Sequence, residues 1–268
     1  MSLLAEILAV KNAEVDALRS KARTGARREP IDVVRALRRG PAAPLRLIAE
    51  VKLRSPSAGS LSRVLAPDAR ALAYAEAGAS MVSVLCDARF FDGSWEHLAA
   101  ARARLDRAGR NTPLLAKEFV ADERQIEEAR DRGADAVLLI ARIVNRNRLV
   151  ELAHAARREG IEPLIEVVDE GELEAAVEAG ARVIGVNARD LDTLQMDAAR
   201  AARVLAAVPR DVVAVHLSGL RSAADVAHLA RAAGAARDRP DAALIGEALM
   251  REDDPREVLA SMVRAAGG

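Results

Sequence analysis

The most informative stretch of the sequence is residues 48–56, which read Ile48-Ala49-Glu50-Val51-Lys52-Leu53-Arg54-Ser55-Pro56. The first part of this stretch is apolar and typical of a strand, so the side chains of Glu50 and Lys52 should project to the same face. Two opposite charges on a buried strand cost free energy unless they pair or take part in chemistry. The Arg-Ser-Pro-Ser sequence at 54–57 should end the regular structure and leave polar groups at the C-terminal end of the strand. A structural ion pair and a catalytic site are the two interpretations.

Strands and helices alternate along the rest of the chain. Short, almost wholly apolar segments predict strands at 45–51, 80–85, 113–119, 136–140, 163–167, 183–186, 212–216 and 242–245. Parallel strands that are buried on both faces have this composition. Helical patterns lie between them, and several end at a glycine such as Gly78 or Gly234. Eight strand–helix units within about 220 residues predict an α/β fold, a (β/α)8 TIM barrel.

A doubly wound parallel sheet is the competing architecture. That fold normally has fewer units and a glycine-rich turn after its first strand, and residues 54–57 contain no glycine. No linker or change of composition divides the chain. We therefore expect one domain over residues 1–268, in which residues 1–44 form an N-terminal helical extension with helices at 2–20 and 31–37. Ser2 is the predicted N-cap of the first helix.

The composition argues against several classes of protein. The 268 residues include 40 Lys and Arg and 40 Asp and Glu, so there is no net charge to attract nucleic acid. Aromatic residues make up 2%, which leaves little material for stacking on bases. Cys86 is the single cysteine, which excludes an intramolecular disulfide and a zinc site made of several cysteines.

The sequence also lacks the patterns of membrane insertion and export. No segment reaches the roughly 18 continuous apolar residues that would span a bilayer. The N-terminus has no basic start and carries Glu6 inside its apolar stretch, so we expect no signal peptide. These features predict a cytoplasmic enzyme without membrane or nucleic-acid partners, and we expect a monomer.

Polar residues cluster where the predicted strands end, which in a (β/α)8 barrel is where catalytic groups lie. The residues at these positions are Glu50, Lys52, Ser55, Cys86, Asp87, Lys117, Glu118, Glu166, Asn187, Arg189, Asp190, His216, Ser218 and Glu247. Lysines and carboxylates that lie together can shift each other's pKa values toward neutrality and transfer protons. No grouping of His, Cys and Asp has the spacing of metal ligands, so we expect no metal.

Small residues follow the last two predicted strands. Ser218-Gly219 and Gly246 each stand between a strand and a helix, where backbone N–H groups can point at one anion. The loops after strands seven and eight are common phosphate sites in barrels. This pair of loops predicts a small phosphorylated substrate.

Taken in order, these segments resemble the indole-3-glycerol phosphate synthase family, and the resemblance covers essentially the whole chain. The segments that carry it are 48–52, 55–57, 83–85, 91–94, 115–119, 163–167, 184–191, 218–219 and 244–246. The resemblance implies a carboxy-lyase of tryptophan biosynthesis that works without a cofactor. Its reaction would close the ring of 1-(2-carboxyphenylamino)-1-deoxyribulose 5-phosphate with loss of carbon dioxide and then of water.

The resemblance also implies roles for individual residues. Lys117 would be the general acid at the substrate carbonyl, and Glu166 would take part in proton transfer beside it. Glu50 and Lys52 would serve the dehydration, and Asn187 would bind a sugar hydroxyl.

Further residues would bind the substrate. The implied substrate-binding residues are Ser55, Pro56, Phe91, Phe119, Leu138, Arg189 and Leu217, and the implied phosphate-binding residues are Ser218, Gly219, Gly246 and Glu247. Among them Pro56, Phe91, Phe119 and Leu138 would form the wall for the aryl ring, and Arg189 would hold anionic groups.

The seventh strand departs from the family. The family usually has Ala-Glu-Ser-Gly where this chain has His216-Leu217-Ser218-Gly219, so Leu217 replaces an acid of the active site. Three interpretations follow. The protein is a synthase that tolerates the change, or it is an enzyme of a specialised pathway that uses a related N-aryl aminodeoxyketose phosphate with altered or incomplete chemistry. The third interpretation is a barrel that binds a sugar phosphate without turnover. Phosphoribosylanthranilate isomerase fits poorly, because its first-strand cysteine is absent.

Overall fold

The computed structural model describes residues 3–20, 23, 28–40, 43–55, 59–190, 193, 195–235 and 240–267. It contains a closed barrel of eight parallel strands, which confirms the predicted (β/α)8 fold. The barrel strands are β1 (Arg46–Val51), β2 (Met81–Leu85), β3 (Leu114–Lys117), β4 (Ala136–Ile140), β5 (Glu162–Val167), β6 (Val183–Asn187), β7 (Val213–Leu217) and β8 (Ala242–Ile245). Each strand pairs with its neighbours in the chain, and β8 closes the barrel against β1 with Ile48 opposite Leu244.

Helices connect successive strands and surround the barrel. In chain order they are α1 (Leu3–Arg19), α2 (Val33–Leu37), α3 (Pro67–Glu76), α4 (Ala88–Phe91), α5 (Trp95–Arg107), α6 (Glu123–Asp131), α7 (Arg146–Arg158), α8 (Glu170–Glu178), α9 (Ala198–Ala207), α10 (Ala223–Ala235), α11 (Glu247–Met250) and α12 (Arg256–Ala265), with a 3-10 turn at Ala141–Ile143. None of the helices in the described part of the chain has the length and apolar character needed to cross a membrane.

Most predicted boundaries agree with the structure to within one or two residues, and local capping explains many of them. Ser94 accepts a hydrogen bond from Glu96 N at the start of α5, and Asp122 caps α6. The expected end at Gly234 was wrong, because α10 continues to Ala235. Regular structure also does not stop after β1, since Arg54–Ser55 pairs antiparallel with Gly59–Ser60. The predicted cap Ser2 lies outside the described residues.

The barrel strands separate two apolar regions. Outward side chains such as Leu47 and Val84 pack against the helices, whereas inward side chains such as Ile48, Leu115 and Leu164 fill the barrel. This alternation follows from the period of two along each strand. Only the last inward position of a strand faces the open end, so a polar side chain there is not surrounded by the core.

The two helices before β1 lie at opposite ends of the barrel. In the segment after α2, the backbone N–H of Arg39 donates to Asp241 Oδ1 over 3.1 Å, and Asp241 immediately precedes β8. The segment after α2 is therefore tied to the end where the strands begin. By contrast, Ile7 of α1 belongs to the apolar cluster inside the barrel together with Phe119, which follows β3. α1 thus reaches the end where the strands finish.

Candidate active site

A cavity opens at the C-terminal end of the barrel and takes side chains from all eight strands. Every residue to which the family resemblance assigns a catalytic or binding role lines it except Pro56, which lies outside the described residues. The lining residues are Ile7, Glu50, Lys52, Ser55, Leu85, Phe91, Lys117, Glu118, Phe119, Leu138, Ile140, Glu166, Asn187, Arg189, Leu217, Ser218, Gly219, Leu220, Arg221, Leu244, Gly246 and Glu247. The structure therefore gathers these residues at one place, while their roles stay predictions.

Three polar side chains from β3, β5 and β6 form a connected group. Lys117 Nζ lies 3.2 Å from Glu166 Oε2, and Asn187 Nδ2 donates to Glu166 Oε1 over 2.8 Å. The Asn187 amide is itself oriented, because its Oδ1 accepts the backbone N–H of Arg189 at 2.9 Å. Both oxygens of Glu166 are thus occupied, and the carboxylate holds the lysine and the amide side by side.

A second ion pair lies on β1 and the residue after it. Lys52 Nζ is 2.9 Å from Glu50 Oε1, as the shared face of the strand predicts. Ser83 Oγ donates to Glu50 Oε2 over 3.4 Å. Gly246 lies against this pair, since a Cβ atom there would be 2.7 Å from Glu50 Oε1 and 3.2 Å from Lys52 Nζ. The first-strand ion pair therefore adjoins the loop after β8.

Lys117 and Glu50 each favour the ionised form of the other, because their charges are opposite. Burial alone would lower the pKa of Lys117, but the carboxylates of Glu166 and Glu50 outweigh it and raise that pKa. Burial alone would raise the pKa of Glu50, but the ammonium groups of Lys52 and Lys117 lower it. The expectation that the pKa values of these two residues shift toward neutrality was wrong. Lys117 is a cation that can donate a proton, and Glu50 is an anion that can accept one.

An apolar wall stands beside these charges. The rings of Phe91 and Phe119 have centroids 6.0 Å apart and are tilted by 34°. Leu138 and Ile140 of β4 continue the apolar surface within the cavity. We call Phe91, Phe119 and Leu138 the aromatic wall. An apolar surface that faces a few oriented polar groups is typical of a small-molecule site.

The loops after β7 and β8 form the opposite side of the cavity. Ser218 has φ = 73° and Gly219 has φ = 97°, so two successive residues adopt left-handed backbone conformations. A left-handed serine is uncommon and is often found where function fixes the backbone. A hydrogen bond from Arg251 lowers the pKa of Glu247, with Nη2 and Oε1 2.8 Å apart. The hydrogen bond therefore favours the ionised form of the Glu247 carboxylate.

Leu217 occupies the last inward position of β7, opposite Asn187 in the strand pairing. Its side chain is 3% exposed and lies over Gly185, where a Cβ atom would be 2.6 Å from Leu217 Cδ1. The cavity therefore has an apolar surface at the position where the family resemblance implies a carboxylate. His216 alternates to the outer face and does not line the cavity, and burial lowers its pKa.

Two further polar residues expected at the strand ends also turn away from the cavity. Cys86 is buried in the outer apolar region, where burial raises the pKa of its thiol. Asp87 is fully buried, and it caps α4 by accepting the backbone N–H groups of Phe90 and Phe91. Neither residue borders the space in which a ligand would lie.

Some residues that line the cavity were not predicted from the sequence, namely Ile7, Leu85, Ile140, Leu220, Arg221 and Leu244. The sequence pattern could have predicted Leu85, Ile140 and Leu244, because each lies at an inward position near the end of a strand. Arg221 lies in the same loop as Ser218 and could have been found by proximity. Ile7 carries no such signal, since only the docking of α1 brings it to the cavity.

Within the ranges that the structure describes, no group of three His, Cys, Asp or Glu side chains is arranged to hold a metal ion.

Comparisons with known proteins agree with this geometry. A family model described as indole-3-glycerol phosphate synthase matches residues 4–262. The indole-3-glycerol phosphate synthase of Mycobacterium ulcerans is 41% identical over 258 residues, which are 96% of this chain and 90% of that protein. The protein of the same name from Mycobacterium avium is 40% identical over the same shares.

Solved structures support the fold. A 3-hexulose-6-phosphate synthase superposes with a TM-score of 0.63 at 16% identity, covering 82% of this chain and 99% of that one. A thiamine phosphate pyrophosphorylase from Pyrococcus furiosus gives a TM-score of 0.59 at 13% identity, covering 83% and 95%. At these identities the likeness concerns the barrel alone.

Proposed function

The chain belongs to the indole-3-glycerol phosphate synthase family, and we propose that it closes the ring of 1-(2-carboxyphenylamino)-1-deoxyribulose 5-phosphate as a step of tryptophan biosynthesis. The observation that carries this proposal is the position of Lys117, 3.2 Å from Glu166 and in one cavity with the aromatic wall. Such a cavity can hold an aryl ring next to a proton donor.

Lys117 serves the ring closure. The aryl carbon attacks the substrate's carbonyl carbon, and the carbonyl oxygen must gain a proton as the new carbon–carbon bond forms. The raised pKa of Lys117 keeps its amine protonated at neutral pH, so it is available as the general acid. Glu166 orients the ammonium group and takes part in the return of the proton.

The aromatic wall serves the decarboxylation. In this step the bond between the ring and its carboxylate breaks, carbon dioxide leaves, and the electron pair returns to the ring system. Phe119 is 7% exposed and, with Phe91 and Leu138, presents an apolar surface to the ring. A carboxylate next to such a surface loses hydration, which favours its departure as a neutral gas.

Glu50 and Lys52 serve the dehydration. A hydroxyl leaves as water when an acid protonates it and a base removes a proton from the neighbouring atom. The lowered pKa of Glu50 keeps it ionised as a base, and Lys52, 2.9 Å away, is the acid. Gly246 contacts both groups, so a phosphate bound at the loops after β7 and β8 would fix the sugar chain beside them.

The remaining residues bind the substrate. Asn187 and Arg189 contact the sugar hydroxyls and the anionic groups, and Ser55 lies at the rim of the cavity. The phosphate lies against the backbone of Ser218 and Gly219 and of the loop that begins at Gly246, following the preference of barrels for these loops. The reaction needs no cofactor, and activity should persist after treatment with a metal chelator.

We also propose that residues 1–268 form one domain with residues 1–44 as its extension, and that the protein is a cytoplasmic monomer without a nucleic-acid partner. Light scattering coupled to size-exclusion chromatography tests the oligomeric state. A dimer mass would contradict that part of the proposal.

The decisive experiment is incubation of the protein with 1-(2-carboxyphenylamino)-1-deoxyribulose 5-phosphate. Indole absorbance should appear together with one equivalent of carbon dioxide, and the Lys117→Met variant should form neither at a comparable rate. Substrate binding without any product would contradict the proposal and would favour a barrel that binds sugar phosphates without turnover.

Leu217 supports a second candidate function. Its side chain is apolar and 3% exposed, and it stands at the position where the family has a carboxylate that contacts the substrate. An enzyme of a specialised pathway that accepts a related N-aryl aminodeoxyketose phosphate, with altered or incomplete chemistry, would fit this surface. Mass analysis of the reaction mixture separates the two candidates, because incomplete chemistry leaves a decarboxylated or cyclised intermediate that has not lost water.

A further inference from the structure

Lys11 is a lysine of α1 whose side chain has no exposure to solvent. Its Nζ lies 2.6 Å from Asp87 Oδ2, 2.8 Å from Glu118 Oε1 and 2.8 Å from Glu14 Oε2. Asp87 and Glu118 are themselves buried, and they follow β2 and β3, so a single ammonium group joins the ends of two neighbouring strands. A buried charge with this many partners is held in a fixed position.

Each of these two carboxylates also accepts a hydrogen bond from the backbone of at least one phenylalanine. Asp87 Oδ1 accepts the N–H of Phe91 at 3.2 Å, as well as that of Phe90 at 2.6 Å. Glu118 Oε1 accepts the N–H of Phe119 at 2.7 Å. Phe91 and Phe119 are the two rings of the aromatic wall, and Lys11 is the group that connects their supports.

We propose that Lys11 is a positioning residue that fixes the distance between Phe91 and Phe119, and thereby couples the docking of α1 to the binding of an aryl ring. The use of this wall for an aryl ring rests on the proposed function, whereas the coupling itself rests on the contacts of Lys11. Ile7, one turn before Lys11 on α1, also lines the cavity. The same helix therefore contributes both a residue of the cavity lining and the lysine that joins Asp87 to Glu118.

The loss of Lys11 should act on one end of the cavity. Without the ammonium group, the link between the two buried carboxylates is lost, so the ends of β2 and β3, and with them Phe91 and Phe119, no longer have a fixed spacing. Among the described residues, the ion pairs of Lys11 are with Glu14, Asp87 and Glu118, which lie outside the loops after β7 and β8, so the phosphate end should keep its geometry. A Lys11 variant should therefore bind an aryl group more weakly than the wild type does, but it should bind phosphate equally well.

The test compares two probes, anthranilate for the aryl end and inorganic phosphate for the other end, by isothermal titration calorimetry. Lys11→Met keeps the length of the side chain and removes its charge. We expect it to weaken anthranilate binding about tenfold, since small misplacements of binding groups have effects of this order, and to leave phosphate binding unchanged. With substrate, KM should rise more than kcat falls.

Arg19→Met is the matched control. Arg19 lies on the same helix and pairs with Asp122 over 2.8 Å at an exposed position, so its loss removes a surface ion pair of α1 but leaves the contacts of Lys11 with Asp87 and Glu118 intact. This variant should bind both probes like the wild type. Because Phe90, Phe91 and Phe119 are the three phenylalanines of the chain, fluorophenylalanine labelling reports on the wall in the free protein, and only Lys11→Met should shift the resonances of Phe91 and Phe119.

A general loss of stability is tested separately by adding Glu118→Gln to Lys11→Met. The double variant lacks one of the unpaired carboxylates and should regain thermal stability, but it should not regain anthranilate affinity. Recovery of affinity, or equal weakening of both probes by Lys11→Met, would overturn the inference. A wild-type protein that binds anthranilate yet forms no indole would instead contradict the proposed function and leave the role of Lys11 standing.

Discussion

Gly246 lies so close to Glu50 that a Cβ atom on Gly246 would stand 2.7 Å from Glu50 Oε1. No carbon atom sits this close to a carboxylate oxygen without displacing it. The glycine after β8 and the charged pair on β1 therefore occupy one compact region, in which the position of the carboxylate depends on the absence of a side chain opposite it.

The first prediction concerns this contact. Gly246→Ala should displace the Glu50 carboxylate, lower kcat for indole formation by at least about tenfold, and destabilise the fold by about 1–3 kcal/mol as overpacking does. Steady-state kinetics and urea unfolding measure both effects. Gly40→Ala is the control, because a Cβ atom on Gly40 meets nothing within 4 Å. Equal activity of the two variants would show that Glu50 does not need its present position.

The second prediction concerns the state of protonation of Lys117. Its pKa is raised because the charges of Glu166 and Glu50 overcome the effect of burial, so the alkaline limb of the pH–rate profile should lie above the ordinary pKa of lysine. Glu166→Gln removes a negative neighbour and should move this limb to lower pH. Glu174→Gln, at an exposed position on α8, should not move it. Lys117→Met should lower kcat by about 10²–10⁴-fold, the usual contribution of a general acid.

The third prediction concerns the departure on β7. Leu217→Glu restores the family's carboxylate and should raise the rate of indole formation. It should also cost about 1–3 kcal/mol of stability, because the charge enters a buried position. Leu217→Gln introduces a side chain shaped like that of glutamate but without the charge, and it should not raise the rate of indole formation. If Leu217→Glu forms indole no faster than the wild type, the activity is limited elsewhere in the site.

The fourth prediction concerns the pH dependence of stability. Burial raises the pKa of Glu118 from 4.5 to about 7, even though Lys11 opposes the shift. A carboxyl group with a raised folded-state pKa binds its proton more tightly in the folded protein, so its contribution is fully present below pH 4.5 and is lost as the pH rises to about 7.

Glu118→Gln removes this dependence. Relative to the wild type, the variant should gain up to roughly 3 kcal/mol of unfolding free energy on going from pH 4.5 to pH 8. Urea unfolding of both proteins at the two pH values measures the difference. An offset between them that stays constant with pH would mean that folding does not raise the pKa of Glu118.

The (β/α)8 architecture and most of its element boundaries could be predicted from the sequence. Eight apolar segments separated by helical patterns allow few other arrangements, and residues such as Ser94 and Asp122 mark helix starts through local hydrogen bonds. The membership of Glu50, Lys117, Glu166 and Asn187 in one cavity also followed from sequence, because each lies at an inward position near the end of a parallel strand.

The electrostatics of the site and the contribution of the N-terminal helix could be learned only from the folded arrangement of the chain. Whether a buried lysine has a raised or lowered pKa depends on the distances to its neighbours, and the pairing of Lys117 with Glu166 reversed the expectation drawn from sequence. The same limit applies to Lys11 and Ile7, which lie more than 70 residues before Asp87 and Glu118. No local pattern in α1 shows which strand ends it will contact, because that docking depends on the packing of the whole barrel.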